Sequence, residues 1–176
     1  TIVNSDYNNL AGYLKECYMV YHADHNERCM YASGLKVCND SNDVLMLQKS
    51  DLCYESVNVT KGYKNFYSVD CEECSDVYFC KNCMNCTDCI GCTNLRNQKY
   101  CIENVQYTKE EYDAKKAELD FTNFQNVRNY KPVAHANWLK YPVKYMHSRQ
   151  NINSTGDYVF NSRNTLDSFE MMGAED

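Results

Sequence analysis

The twelve cysteines stand at positions 17, 29, 38, 53, 71, 74, 80, 83, 86, 89, 92 and 101, and each leaves a remainder of two on division by three. The same phase, read from Ile2 to Asn104, holds residues such as Ala, Ser, Val, Leu, Asn, Cys and Gly, with no charged and no aromatic side chain. The other two phases hold all the charged residues, Tyr and Phe of that stretch. One face of the chain is therefore dry, sterically tight and repeated every three residues. An α-helix would rotate such a set off any one face within two turns, and an ordinary strand alternates with a period of two. Polyproline-II helices have three residues per turn, but a bundle of them needs Gly on the inner face, and only 6 Gly are present. A backbone bending round a thin core, through short strands and frequent corners, accommodates a period of three. The spacing thus predicts a mainly β fold: a parallel β-solenoid, or β-helix, over residues 1–105.

Coil length is read from longer lags. Positions 17, 35, 53, 71 and 89 hold Cys, Leu, Cys, Cys and Cys, which gives a coil of about 18 residues and about six coils. A lag of nine suits the cysteines nearly as well, so each coil is expected to have two similar halves. The outward column Asn4, His22, Asp40, Asn58, Asp76, Asn94 is almost wholly Asn and Asp, as stacked corners require, since both tolerate turn geometry. The inward-every-third pattern is similar to that of threonine-cysteine insect antifreeze solenoids, in a wider form.

The pattern stops after Asn104. Residues 106–152 are expected to be an insert at a coil corner. Within it Thr108-Lys109-Glu110-Glu111 has the form of a capping box, and a short helix is predicted over 109–120. Loops and short helices are predicted for 121–150. The three-residue phase resumes in 153–176 in a new register, with Asn153, Gly156, Val159, Ser162, Thr165, Ser168, Met171 and Ala174 inward. The chain starts at Thr1, not Met, and ends Ala174-Glu175-Asp176, so it is expected to be an excised fragment.

The runs NCTDCIGCTNLRNQKYCIENVQYTKEEY (85–112), NSDYNNLAGYLKECYMVYHADHNERCMY (4–31) and GDYVFNSRNTLDSF (156–169) resemble a family of uncharacterised cysteine-rich repeat proteins. These are common in candidate-phylum bacteria and some large phages. The resemblance implies a repeat architecture and transfers no catalytic residue. Thr165 and Ser168 stand where relatives often have Cys, and the zinc-ribbon-like region that often precedes the repeats is absent.

Three readings of the cysteines stay open: small core fillers, disulfides across the lumen, and a metal site. The first is favoured for Cys17, Cys29, Cys38, Cys53, Cys71, Cys74, Cys80, Cys83, Cys86, Cys89, Cys92 and Cys101. Disulfides would favour partners nine residues apart, such as Cys29–Cys38, Cys74–Cys83 or Cys92–Cys101. The C-x-x-C matches suit zinc, but a zinc knuckle needs a tight turn, whereas inward residues of a solenoid spread along its perimeter. No other cofactor is expected. His22 and His25, three apart beside Asp24, are weak metal candidates and are read first as solvated corners. Asp70, Glu72, Glu73 and Asp76 are read as ordinary acidic surface, ahead of a carbohydrate-active β-helix. No G-x-S-x-G, H-E-x-x-H or Gly-rich phosphate loop is present, so no catalytic residue is assigned.

Residues 121–150 contain five cations and no carboxylate, in a chain of net charge −6. Arg128, Lys131, Trp138, Lys140, Tyr141, Lys144, Tyr145 and Arg149 form the candidate binding set, for a protein partner or an anionic ligand such as nucleic acid. The first reading is that the insert docks on the acidic array. The expected function is a non-enzymatic repeat scaffold or binding module, a structural protein. A thiol- or zinc-dependent sensor or a nucleic-acid-associated protein is the alternative. No stretch approaches a membrane span. Localisation stays open with the cytoplasm favoured, and oligomeric state stays open with end-to-end stacking considered.

Overall fold

The computed structural model describes residues 2–175, which divide into two units, 2–141 and 142–175. The fold is mainly β with parallel sheets, joined by two helices. In the first unit one sheet has seven strands: Ile2–Val3, Asn9–Lys15, Tyr18–Glu27, Met30–Lys36, Asn42–Gln48, Val57–Thr60 and Val69–Glu72. A second has five: Tyr63–Phe66, Ser75–Tyr78, Thr87–Ile90, Lys99–Ile102 and Val105–Gln106.

Apart from Val105–Gln106, which pairs antiparallel with Lys99–Ile102, the register is uniform. Ala11, Ala23, Leu35, Leu47, Val59 and Cys71 are successive parallel partners, as are Asn65, Val77, Cys89 and Cys101. Each step is twelve residues, so the chain returns alongside itself every twelve and not every 18. Twelve, 18 and nine are all multiples of three, so the inward phase could not distinguish them.

The cause of the three-residue period lies in the backbone. Every residue with remainder one from Asn4 to Glu103 has a positive φ, including bulky ones such as Leu10, Val37 and Leu52. The chain bends at each. The Asn4 to Asn94 column read as corners lies wholly in this set. Such a conformation costs an L-residue about 1–2 kcal/mol, so it persists only where neighbouring rungs over-determine it. Here a rung means one twelve-residue return.

Of every three successive amides, two are bound by backbone. Tyr18 N–H donates to Cys29 O and Met19 N–H to Asp6 O, both at 3.1 Å. The inward amide often finds a side chain instead. Val20 N–H donates to Asn8 Oδ1 (2.8 Å), Cys38 N–H to Asn26 Oδ1 (2.9 Å), Gly62 N–H to Ser50 Oγ (3.0 Å) and Cys80 N–H to Ser68 Oγ (3.1 Å), always twelve residues back. Buried amides must be paired, so the interior needs small residues with acceptors as well as aliphatic fillers. From Leu14 to Cys92 every third residue is buried.

Helix α1, Lys109–Leu119, begins with the expected capping box: Thr108 Oγ1 accepts from Glu111 N–H at 3.3 Å, and Glu111 Oε2 accepts from Thr108 N–H at 3.0 Å. Helix α2, Phe124–Trp138, is a single 15-residue helix where loops and short helices were expected. Its buried residues Val127, Tyr130, Ala134 and Asn137 are spaced three, four and three, and Pro132 falls inside it. A proline there usually marks an end, but packing against the sheets overrides that preference.

The second unit has strands Ser148–Arg149, Gly156–Phe160 and Ser168–Met172, all parallel. Its first return takes eleven residues (Ser148 to Val159) and its next takes twelve (Gly156 to Ser168). Val159, Ser162 and Thr165 are buried, but Asn153 is an exposed corner with φ 49°, not an inward residue. Asn151 and Ser154 accept from the amides of Ser162 and Thr165 in its place. The phase slips at Gly156, whose φ is 127° and where a Cβ would lie 1.8 Å from Ser168 O.

Candidate binding surface

All twelve cysteines are buried free thiols. All twelve Sγ atoms donate to the carbonyl two residues back, and all but Cys53, Cys86 and Cys101 also reach that nine residues ahead. Cys38 reaches Lys36 O (3.5 Å) and Leu47 O (3.4 Å), and Cys74 reaches Glu72 O (3.3 Å) and Cys83 O (3.5 Å). Ser56 Oγ does the same toward Tyr54 O (3.0 Å) and Asn65 O (2.9 Å). The thiols are thus polar parts of the interior ladder as well as fillers. Burial pushes the Cys53 and Cys101 thiols up to about 11. At the offset of nine proposed for disulfides, Cys29, Cys74 and Cys92 meet the partner's carbonyl oxygen.

Cys83, Cys86, Cys89 and Cys92 occupy the four inward positions of one rung. Among the described residues, however, no three His, Cys, Asp or Glu side chains are grouped to hold a metal ion. His22 and His25 sit at successive corners with φ of 52° and 55°. His25 lies 3.0 Å from Asp24 Oδ2 and stacks on Tyr13 at 4.4 Å. The four carboxylates considered for carbohydrate chemistry are spread round part of one rung, with Asp70, Glu73 and Asp76 at successive corners. Asp70 accepts from Asn58 (2.7 Å), Glu73 pairs with Lys61 (2.5 Å) and Asp76 with Lys116 (2.9 Å).

Five of the eight basic and aromatic candidates, Arg128, Lys131, Trp138, Lys140 and Tyr141, lie in the first unit. Lys131 pairs with Glu55 and lies 4.9 Å from the Tyr67 ring centroid. Trp138 Nε1–H donates to Phe79 O at 2.9 Å, with Lys81 Nζ over its ring at 5.7 Å. Arg128 is exposed on α2. Lys140 and Tyr141 border a groove of about 640 Å³ with Glu103, Tyr107 and Glu118. Lys144, Tyr145 and Arg149 belong to the other unit, where Tyr145 is 98% exposed and Arg149 pairs with Phe160.

The surface that the helices do use is an outward pair of columns. One runs Asp6, Tyr18, Met30, Asn42, Tyr54, Phe66, Tyr78, Ile90, Ile102 in unbroken twelve-residue pairing. The residues that follow these in sequence make the second: Tyr7, Met19, Tyr31, Asp43, Glu55, Tyr67, Phe79, Gly91, Glu103. Rings stack along the columns, Phe66 on Tyr78 at 5.0 Å and Tyr67 on Phe79 at 4.7 Å. Phe79, Ile90, Tyr112, Val127, Tyr130 and Ala134 form a second apolar core between this face and the helices. Tyr130 Oη–H donates to Glu103 Oε1 (3.1 Å), and Asn137 Nδ2–H to Gly91 O (2.8 Å). Gly91, at φ 63°, permits the approach, since a Cβ would lie 2.6 Å from Tyr130 Oη. Beside it a cleft of about 560 Å³ is lined by Tyr54, Phe66, Tyr67, Tyr78, Lys116 and Phe121. Burial first, then Asp76, pushes the Tyr78 hydroxyl up to about 12. These aromatic columns escaped the sequence reading, although a search at a lag of twelve would have found them. No helix among the described residues is long and apolar enough to cross a membrane. The sequence matches no protein-family model and no curated protein.

Proposed function

We propose that this chain is a non-enzymatic repeat scaffold, a β-solenoid of twelve-residue, four-sided rungs whose outer columns present side chains for binding. The observation supporting this most is the ladder of outward pairs at one offset: Lys15–Glu27, Arg28–Asp40, Asn39–Asp51, Lys61–Glu73 and Asn82–Asn94. Stacking identical backbone steps places outward side chains of successive rungs about 4.8 Å apart, a rigid grid suited to recognition. The interior offers no chemistry to substrate, because its polar atoms hold the backbone and its thiols are closed to solvent.

The competing reading is a thiol- or metal-dependent sensor, favoured by the all-cysteine rung from Cys83 to Cys92. Melting the protein with and without chelator, added zinc, reductant and a mild thiol oxidant separates the two. A scaffold melts at the same temperature in all five conditions. A metal-dependent rise, or an oxidant-dependent shift, would replace it with the sensor.

A further inference from the structure

The helices cover only half of the aromatic columns. From Tyr54 onward the pair is roofed by the segment α1–α2, but the same two columns begin with Tyr7, Tyr18, Met19, Met30 and Tyr31. There Tyr7 is 73% exposed, Tyr31 54% and Met30 42%, while Tyr18 and Met19 are half-buried. Tyr18 stands edge-on between Tyr7 and Tyr31, at 5.5 and 5.7 Å between centroids. The patch is contiguous, as interaction sites on soluble proteins are. Asp6 precedes it in one column and Asp43 follows it in the other.

We infer that this patch docks an amphipathic, basic helix of a partner protein. The inference rests on the scaffold reading and names the partner's chemistry. The uncovered half continues the same two columns as the half already covered. There an apolar helix face (Val127, Tyr130, Ala134) lies on the columns, and a lysine reaches the acidic residue at their edge, Lys131 to Glu55. In the uncovered half the same ingredients recur: aromatic and Met side chains on the same columns, with Asp43 one rung before Glu55. A partner helix would therefore need aliphatic or aromatic residues three and four apart, and Lys or Arg at its ends to meet Asp6 and Asp43. Methionine and tyrosine suit such a surface because they adapt to an incoming face and keep a polar tip in water.

The probe is a synthetic peptide of residues 121–141 of this chain, labelled for fluorescence anisotropy and titrated with the intact protein. Saturable binding that weakens as salt rises is expected. The double variant Tyr7→Asn, Tyr31→Asn should weaken it on the order of tenfold, the loss typical of central aromatic anchors. Asn suits the positive-φ corners, so melting should be unchanged or slightly raised. Binding that survives the double change would put the peptide elsewhere, and no binding at all would remove the helix site; either overturns the inference. Concentration-dependent dimerisation lost in the same variant would make a second copy the occupant and likewise overturn it. Unchanged melting across metal and redox conditions would leave the scaffold reading standing in all three cases.

Discussion

Arg28 grips Asp40 one rung ahead with two hydrogen bonds, Nε–H to Oδ1 at 2.5 Å and Nη2–H to Oδ2 at 2.8 Å. These bonds hold the Asp40 carboxyl below the usual carboxylate range. A depressed carboxyl contributes stability that is present above its unfolded value, near 3.8, and is lost as pH falls through the lower folded value. Asp40→Asn should therefore melt slightly below the wild type at neutral pH, and the gap should close in acid. Melts between about pH 2 and pH 7 measure it. A gap that persists at the acid end would show that the pair does not titrate as the geometry requires.

Cys53 tests what the inward thiols do. Burial raises its thiol, the Asn65 backbone amide one rung ahead works against that rise, and the sulfur donates toward Asp51 O at 3.6 Å. Cys53→Ser keeps both roles and should stay within about 1 kcal/mol of the wild type. Cys53→Val fills the space but strands the amide, at a cost of about 1–3 kcal/mol. Denaturant titration ranks the two. If valine proves the more stable, the interior is an ordinary apolar core and the ladder contributes nothing.

The buried thiols should also be slow to react. Burial excludes the reagent from all twelve, and Cys53 and Cys101, pushed up to about 11, themselves carry little thiolate near neutral pH. Ellman's reagent should find few thiols in the native protein and all twelve in denaturant. Rapid native labelling, or an intact mass short by two hydrogens per cysteine pair, would contradict free, enclosed thiols.

Gly91 controls the helix seat. Gly91→Ala combines a positive φ with a clash at Tyr130 Oη and should cost about 1–3 kcal/mol, felt mainly at α2. Trp138 fluorescence should shift toward that of exposed indole, and cleavage within 121–141 should accelerate. Adding Tyr130→Phe should recover part of the loss by removing the hydroxyl. An unchanged Trp138 signal in Gly91→Ala would show that α2 does not depend on this approach.

The three-residue phase was legible because burial acts on single side chains: one charge among Cys71, Cys74 or Cys80 would have broken it. The capping box was legible because Thr108 and Glu111 interact locally. Turn length was not fixed by the cysteines, since Cys71 has cysteines nine, twelve and 18 residues ahead of it. Outward charge pairs such as Lys15–Glu27 and Arg28–Asp40 held the missing information, because only facing side chains need opposite signs. Helix α2 was obscured by Pro132, although Val127, Tyr130 and Ala134 have helical spacing. The phase slip that puts Asn153 at a corner depends on the conformation of Gly156. The candidate binding set from 121–150 draws on two units: Lys131 and Trp138 bind Glu55 and Phe79 of the array, while Lys144, Tyr145 and Arg149 belong to the second unit.

Rung length itself can be measured by inserting sequence. Duplicating the twelve residues Asn42–Cys53 adds one whole rung and keeps every column aligned. Duplicating the nine residues Leu45–Cys53, or the 18 residues Lys36–Cys53, also preserves the inward phase but rotates the following columns round the array. Thermal unfolding by circular dichroism compares the three. The twelve-residue duplication should fold and melt cooperatively at or above the wild-type temperature, while the other two melt lower or fail to fold. Equal tolerance of all three, or failure of the twelve-residue duplication alone, would contradict a solenoid built on twelve-residue rungs.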